Sequence, residues 1–134
     1  MSARFRLISV IIVCLQVTQI SLWAHHASAA QFDISKTVTL IGVVSRLDWE
    51  NPHAHIYLDV KQDSGGTESW DIELGAPGAI IVAGLSRDLL QPGTTLTVKG
   101  YPGKATGETS ARPSACATQV TLANGVTATF VVGI

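Results

Sequence analysis

Apolar and polar positions alternate along two segments in the middle of the chain, residues 55–60 and 69–74. The apolar positions are Ile56, Leu58, Val60, Trp70, Ile72 and Leu74. A period of two is typical of β-strands that bury one face. The pattern therefore predicts two strands that share a core face and expose a polar one.

The loop between these strands sets their register. A three-residue loop of residues 64–66 places apolar side chains opposite one another, with Leu58 facing Ile72. On the outer face, the predicted pairs are Asp59 with Asp71 and Tyr57 with Glu73. Like charges directly opposite each other are mildly destabilising, and screening by solvent or a bound cation relieves this.

Further elements follow from β-branched residues and from Gly and Pro. In the long first strand, the inward positions change parity between Val44 and Leu47, which predicts a β-bulge. Asn51-Pro52 ends this strand. A short helix is predicted from Pro77 to Gly84, where it closes one end of the fold. The remaining predictions are strands at 94–101, 118–122 and 126–132 and a polar, mobile loop at 102–114.

This order of elements predicts an all-β fold with one short helix. A long bent strand, a hairpin, a helix and the closing strands are similar to the oligonucleotide/oligosaccharide-binding (OB) barrel, here with five to six strands. An open β-sandwich built from the same strands is the alternative.

The first residues predict export. Arg4 and Arg6 precede an apolar run at 7–15, the pattern of a secretory signal peptide over 1–24. Cleavage after Ala24 competes with cleavage after Ala29, which follows a better small-x-small motif. The 134 residues then divide into the leader, a lead-in at 25–36 and one barrel domain at 37–134, located in the periplasm or outside the cell.

Cysteine content and charge limit the remaining options. Cys116 is the only cysteine after the leader, so no internal disulfide forms, and a small buried strand residue is expected. The chain has nine basic and ten acidic residues, and two of the basic residues lie in the leader. The remaining basic residues are fewer than the acidic ones and form no cluster. Nucleic acid is therefore not an expected partner, and no stable membrane insertion is expected after the leader is removed.

Short motifs across most of the mature chain carry a resemblance to a known family. They are His25-His26, Phe32-Asp33, Val38-Thr39-Leu40 with Gly42, Trp49 with Asn51-Pro52-His53, Arg87-Asp88 with Leu90, Pro92-Gly93 and Val120-Thr121-Leu122. In these the chain resembles a family of exported bacterial proteins of unknown function with a His-His mature N-terminus and a Trp-x-Asn-Pro-His segment. The resemblance implies no activity. His55 departs from the family pattern, where an aromatic residue is common.

All four histidines fall in two pairs, His25-His26 and His53-x-His55. Imidazole is a common metal ligand, and cleavage after Ala24 would give His25 a free amine beside its ring, a chelate that Cu(II) favours. The hypothesis is a copper or zinc ion bound by His25, His26 and His53, with His55 as an optional fourth ligand. The alternatives are a polar chain end for the first pair, and a turn cap and a solvated strand face for the second.

A second hypothesis assigns the outer face to a partner protein of the envelope without a metal. The residues of this ligand or partner face are Trp49, Tyr57, Asp59, Asp71 and Glu73. Stacking of a saccharide on Trp49 and Tyr57 is a further alternative. No nucleophile motif is present and so short a chain predicts no deep cleft, so no catalytic activity and no catalytic residues are expected.

Overall fold

The computed structural model of the protein describes residues 30–104 and 112–130. Its elements are β1 (Val38–Asp48), β2 (His55–Lys61), β3 (Thr67–Glu73), α1 (Pro77–Val82), a 3₁₀ helix (Arg87–Leu90), β4 (Thr95–Pro102), β5 (Ser114–Leu122) and β6 (Thr127–Thr129). The predicted leader, residues 25–29 of the lead-in, the middle of the predicted 102–114 loop and the end of the predicted last strand lie outside the described residues. None of the described helices is long and apolar enough to cross a membrane.

Five strands close into a barrel. Neighbours pair antiparallel in the order β3-β2-β1-β4-β5, and β3 closes the ring by pairing parallel to β5, with Asp71 beside Ser114 and Glu73 beside Cys116. β6 adds a sixth strand on β5. The predicted small β-barrel is confirmed, and the closure between β3 and β5 excludes the open sandwich.

β1 bends as predicted. Its register with β2 shifts between Val44 and Arg46, which leaves Ser45 as the extra residue of a β-bulge. The Ser45 hydroxyl donates to the Tyr57 carbonyl at 3.1 Å. Gly42 lets the two strands approach closely, because a Cβ there would lie 2.5 Å from the Asp59 carbonyl oxygen.

The predicted register of β2 and β3 is wrong by two residues. Leu58 lies opposite Trp70 and Ile56 opposite Ile72. The loop has three residues, but they are 63–65, closed by a hydrogen bond from the Gln62 N–H to the Gly66 carbonyl at 2.9 Å. Gly65, the third loop residue, has a φ of +89°, the left-handed conformation that this type of loop requires.

The same shift changes every outer pair. Tyr57 lies opposite Asp71, and Asp59 lies opposite Ser69 rather than opposite Asp71. Glu73 lies opposite His55 rather than opposite Tyr57. The alternation itself is preserved, because a shift of two keeps each side chain on its face.

The barrel interior is apolar, and α1 covers one end. Ile80 of α1 is fully buried, and Gly84, with a φ of +95°, follows the helix where its end was predicted. The largest fully buried side chains are Ile56, Leu58, Ile72, Ile80, Leu85, Leu90, Leu96, Val44, Val98 and Val120. Among the described residues, no polar or charged residue is buried in this core.

β5 begins at Ser114, four residues before its predicted start, because β3 and β4 both pair with its first residues. Cys116 lies in this part of β5 and is only 6% exposed, so the prediction of a small buried strand residue is confirmed. Burial, and to a lesser degree the nearby Glu73 carboxylate, raises the pKa of the thiol to about 11. The thiol is therefore protonated and inert at neutral pH.

Candidate functional site: a histidine and carboxylate cluster

Two histidines at the start of β2 face the outside of the barrel. β2 begins at His55, and His53 lies in the turn before it. Ala54 between them is fully buried, and its N–H donates to the Gly75 carbonyl at 3.1 Å while its carbonyl accepts from the Leu74 N–H at 2.8 Å. Because Ala54 faces the core, its two neighbours face outward on one side of the strand.

Each of these histidines meets a carboxylate of β3. Nδ1 of His55 lies 2.8 Å from Oδ1 of Asp71, and Nδ1 of His53 lies 2.7 Å from Oε1 of Glu73. Both contacts are diagonal in the register, where His55 is directly opposite Glu73. These four side chains form the His–carboxylate cluster: His53, His55, Asp71 and Glu73.

The carboxylates determine which ring nitrogen carries the proton. An ionised carboxylate only accepts hydrogen bonds, so Nδ1 of each imidazole must donate. In the neutral imidazole, Nε2 is then left with its lone pair. When its imidazoles are neutral, the cluster therefore holds both rings in the tautomer that leaves Nε2 free to bind an electrophile.

The environment favours the charged form of His55. The hydrogen bond to Asp71 raises the pKa of its imidazole above the ordinary 6.5, partial burial opposes this, and the nearby carboxylates add to the increase. The side chains of His55 and Asp71 are each 33% exposed, while Glu73 is only 15% exposed. The cluster is thus a shallow surface site with one well-shielded carboxylate.

Tyr57 lies on the same face, but two arginine side chains already lie over its ring. The guanidinium carbon of Arg46 lies 4.3 Å from the ring centroid, and that of Arg112 lies 4.9 Å from it. Arg46 is held in place by Asp48, to which its Nε donates at 2.9 Å. Burial and the neighbouring Asp71 raise the pKa of the Tyr57 hydroxyl. A base or sugar stacked on Tyr57 would have to displace a guanidinium group.

The remaining residues of the predicted partner face, Trp49 and Asp59, make other contacts. Trp49 is partly buried and packs against the core. Asp59 accepts a hydrogen bond from the Ser45 hydroxyl at 3.2 Å. The five residues therefore have different surroundings, and their assignment to one ligand or partner face stays a prediction.

A cavity of about 220 Å³ opens beside the cluster. It is lined by three cluster residues and by residues of the lead-in, β5 and the segment after β4: His55, Asp71, Glu73, Gln31, Phe32, Ser114 and Lys104. Phe32 is only 6% exposed and bridges to Gly103, which fixes the lead-in against the barrel. Sequence reasoning missed Ser114 and Gln31, because both reach the cavity through long-range contacts: Ser114 by the pairing of β5 with β3, and Gln31 by the hydrogen bond that its carbonyl accepts from the Lys104 N–H.

The described residues supply two of the four histidines of the metal hypothesis. Across 30–104 and 112–130, no group of three or more His, Cys, Asp or Glu side chains is arranged to hold a metal ion. The other predicted ligands, His25 and His26, lie outside the described residues.

These features define a small closed barrel with an imidazole and carboxylate cluster on the outer wall of β2 and β3. A family model, described as a family of unknown function (DUF6152), matches residues 12–112. The chain belongs to this family. No curated protein matches the chain.

Among solved structures, the barrel is similar to a mitochondrial single-stranded DNA-binding protein of S. cerevisiae, Rim1. The TM-score is 0.50 at 11% sequence identity, over 66% of this chain and 93% of that one. Identity this low supports a shared OB-type barrel and nothing about the ligand.

Proposed function

We propose that this protein is an exported, non-enzymatic binding protein that holds a copper(II) or zinc(II) ion through imidazole nitrogens. The ligands from the barrel are Nε2 of His53 and Nε2 of His55. The ligands from the lead-in are the ring of His25, its α-amine after removal of residues 1–24, and the ring of His26.

The observation that supports this most strongly is the pair of contacts at Nδ1. A metal-binding histidine almost always donates its other ring N–H to a carboxylate, a carbonyl or water, which fixes the tautomer and increases ligand basicity. Both His53 and His55 have a carboxylate in this position, at 2.7 and 2.8 Å. Two rings held this way already have the tautomer that metal binding requires.

The course of the lead-in supports a contribution from the first histidine pair. Gln31 and Phe32 line the same cavity as His55, so the chain enters the barrel beside the cluster. Gln31 follows His25 by six positions, a stretch that spans at most about 22 Å. An amine and a ring nitrogen from one residue form a chelate suited to Cu(II) in tetragonal geometry.

Calorimetric titration of Cu(II) and Zn(II) into protein beginning at His25, at pH 7.5, tests this assignment. We expect one bound ion, with His53→Ala and His55→Ala each weakening it at least about tenfold. Asp71→Asn should also weaken it, by about 10- to 100-fold, because it removes the partner of a ligand. Asp59→Asn is the matched control, since Asp59 lies on the same face but contacts Ser45 instead.

Two further measurements separate the parts of this assignment. Protein beginning at Ala30 should bind Cu(II) more weakly than protein beginning at His25, and equal binding would remove the lead-in histidines from the site. Uptake at pH 5 should be much weaker than at pH 7.5, because protons compete for imidazoles near their pKa. Uptake that ignores both pH and the two histidine variants would overturn the proposal.

The intact mass of the exported protein decides whether the first pair is present at all. A mass that begins at His25 retains the amine chelate, whereas a mass that begins at Ala30 removes His25 and His26. Fractionation of the producing cells tests the export itself, with the protein expected in the periplasm or in the medium.

A further inference from the structure

β1 exposes two large apolar side chains on the outer wall of the barrel. Ile41 is 63% exposed and Val43 is 42% exposed, and they are consecutive outward positions of the same strand. These two residues are called the β1 strip. Contiguous apolar surface on an otherwise polar wall marks an interaction site more often than isolated apolar residues do.

The β1 strip forms the floor of a groove of about 550 Å³. On one side, Thr95 of β4 lies opposite Val43. On the other side, Asp59 of β2 lies opposite Val43, and Lys61 follows on the same face beside Ile41. The strip is therefore flanked along one edge by one negative and one positive charge, two residues apart.

This arrangement of charges is self-complementary. Two copies can face each other across a two-fold axis that lies in the contact plane and runs perpendicular to β1. It places Val43 of one copy on Ile41 of the second copy, and Asp59 opposite Lys61 in both directions. Symmetric contacts of this kind require one surface to match itself, which a strip with a single sign of charge cannot do.

Lys61 is available for such a contact. Over the part of the chain that the structure describes, no carboxylate lies within ion-pair distance of its ammonium group. Among the described residues, Asp59 has only the neutral Ser45 hydroxyl as a hydrogen-bond donor from a side chain. Both charges can therefore reach a partner without giving up an existing ion pair.

We propose that two copies of this protein associate face to face through the β1 strip, with β1 antiparallel to β1 and two reciprocal ion pairs between Asp59 and Lys61. The His–carboxylate cluster is not part of this contact, so the dimer does not depend on the proposed metal site.

Sedimentation equilibrium over a concentration series, in EDTA, tests the dimer. We expect a monomer–dimer equilibrium in which Ile41→Glu raises the dissociation constant at least about tenfold, because it buries a charge against an apolar side chain. Val82→Glu is the matched control: Val82 on α1 is 89% exposed and lies outside the groove. The control should leave the equilibrium unchanged.

Charge reversal distinguishes this geometry from other dimers. Asp59→Lys alone and Lys61→Asp alone should each weaken association, because like charges then face each other. The double variant Asp59→Lys with Lys61→Asp should restore it, since the reciprocal pairs re-form with opposite polarity. A double variant as weak as the single ones, a monomer at all concentrations, or a dimer that Ile41→Glu leaves intact would each overturn the proposal.

Discussion

The two faces of the β2–β3 hairpin share one backbone but are stabilised by different interactions. Ile56, Leu58 and Ile72 on the inner face have no solvent exposure. On the outer face, His55 and Asp71 remain one-third exposed and contact each other at 2.8 Å. The inner face is stabilised by the removal of apolar surface from water, which needs no particular partner, whereas the outer face depends on specific pairs of atoms.

This difference determines how each face responds to change. An apolar side chain packs against whichever apolar neighbours surround it, and the cost of truncating it is the lost transfer energy plus a cavity. A histidine that loses its carboxylate stays in the fold but changes its protonation and its tautomer. Substitutions on the inner face should therefore affect stability, and substitutions on the outer face should affect chemistry.

Ile72→Ala should have the largest effect on stability. Ile72 is fully buried opposite Ile56, so truncation leaves a cavity in the barrel and should cost about 2–5 kcal/mol in the free energy of unfolding. Ser69→Ala, on the outer face of the same strand, should stay within about 0.5 kcal/mol of the wild type. Urea denaturation of the two variants measures both values, and equal losses would contradict the contrast between the faces.

Gly100→Ala should have an intermediate effect through a single added methyl group. A Cβ at Gly100 would lie 2.2 Å from the Cys116 carbonyl oxygen, where the register of β4 and β5 shifts. The backbone must move, and we expect a loss of about 1–3 kcal/mol in the same denaturation experiment. Gly78→Ala in α1 is the control: apart from the chain neighbours and the backbone of the helix itself, no atom lies within 4 Å of the added Cβ. Alanine also favours a helix, so this variant should not destabilise.

Sequence patterns predicted the inner face well because its chemistry is repetitive. The alternation around Ile56 and Ile72 identifies buried positions whatever the register, and the same pattern located the bulge after Val44. Proline and glycine marked the ends of α1 at Pro77 and Gly84. Each of these signals is local, so one sequence contains it in full.

The outer face was predicted only in part, because its contacts depend on register and on closure. Gly65 and Gly66 both tolerate a left-handed φ, so the sequence alone did not decide which one ends the loop, and that choice moved every cross-strand pair by two residues. Asp71 was assigned to the outer face, but its contact with His55 was not foreseen. Ser114 reaches the cavity only because β3 closes on β5, a pairing without a local signal.

The smallest predicted effect is a change in the pKa of His55, which tests the contacts of the outer face directly. Because Asp71 raises the pKa of His55, Asp71→Asn should lower that pKa, as read from the imidazole proton shifts in an NMR titration of metal-free protein. Asp59→Asn should not move it, since Asp59 does not contact His55. If the two variants titrate alike, the contact with Asp71 does not control the protonation of His55.

The raised pKa of His55 also predicts how the free energy of unfolding changes with pH. The folded-state pKa of His55 lies above its unfolded value of about 6.5, so the folded protein binds this proton more tightly. The resulting stabilisation is fully present below pH 6.5 and is lost as pH rises through the folded-state pKa. The difference in unfolding free energy between wild type and His55→Gln should therefore be larger at pH 6 than at pH 8.5. A difference that grows with pH would show that burial of the ring, rather than Asp71, controls His55, and the two faces of the hairpin would then follow the same physics.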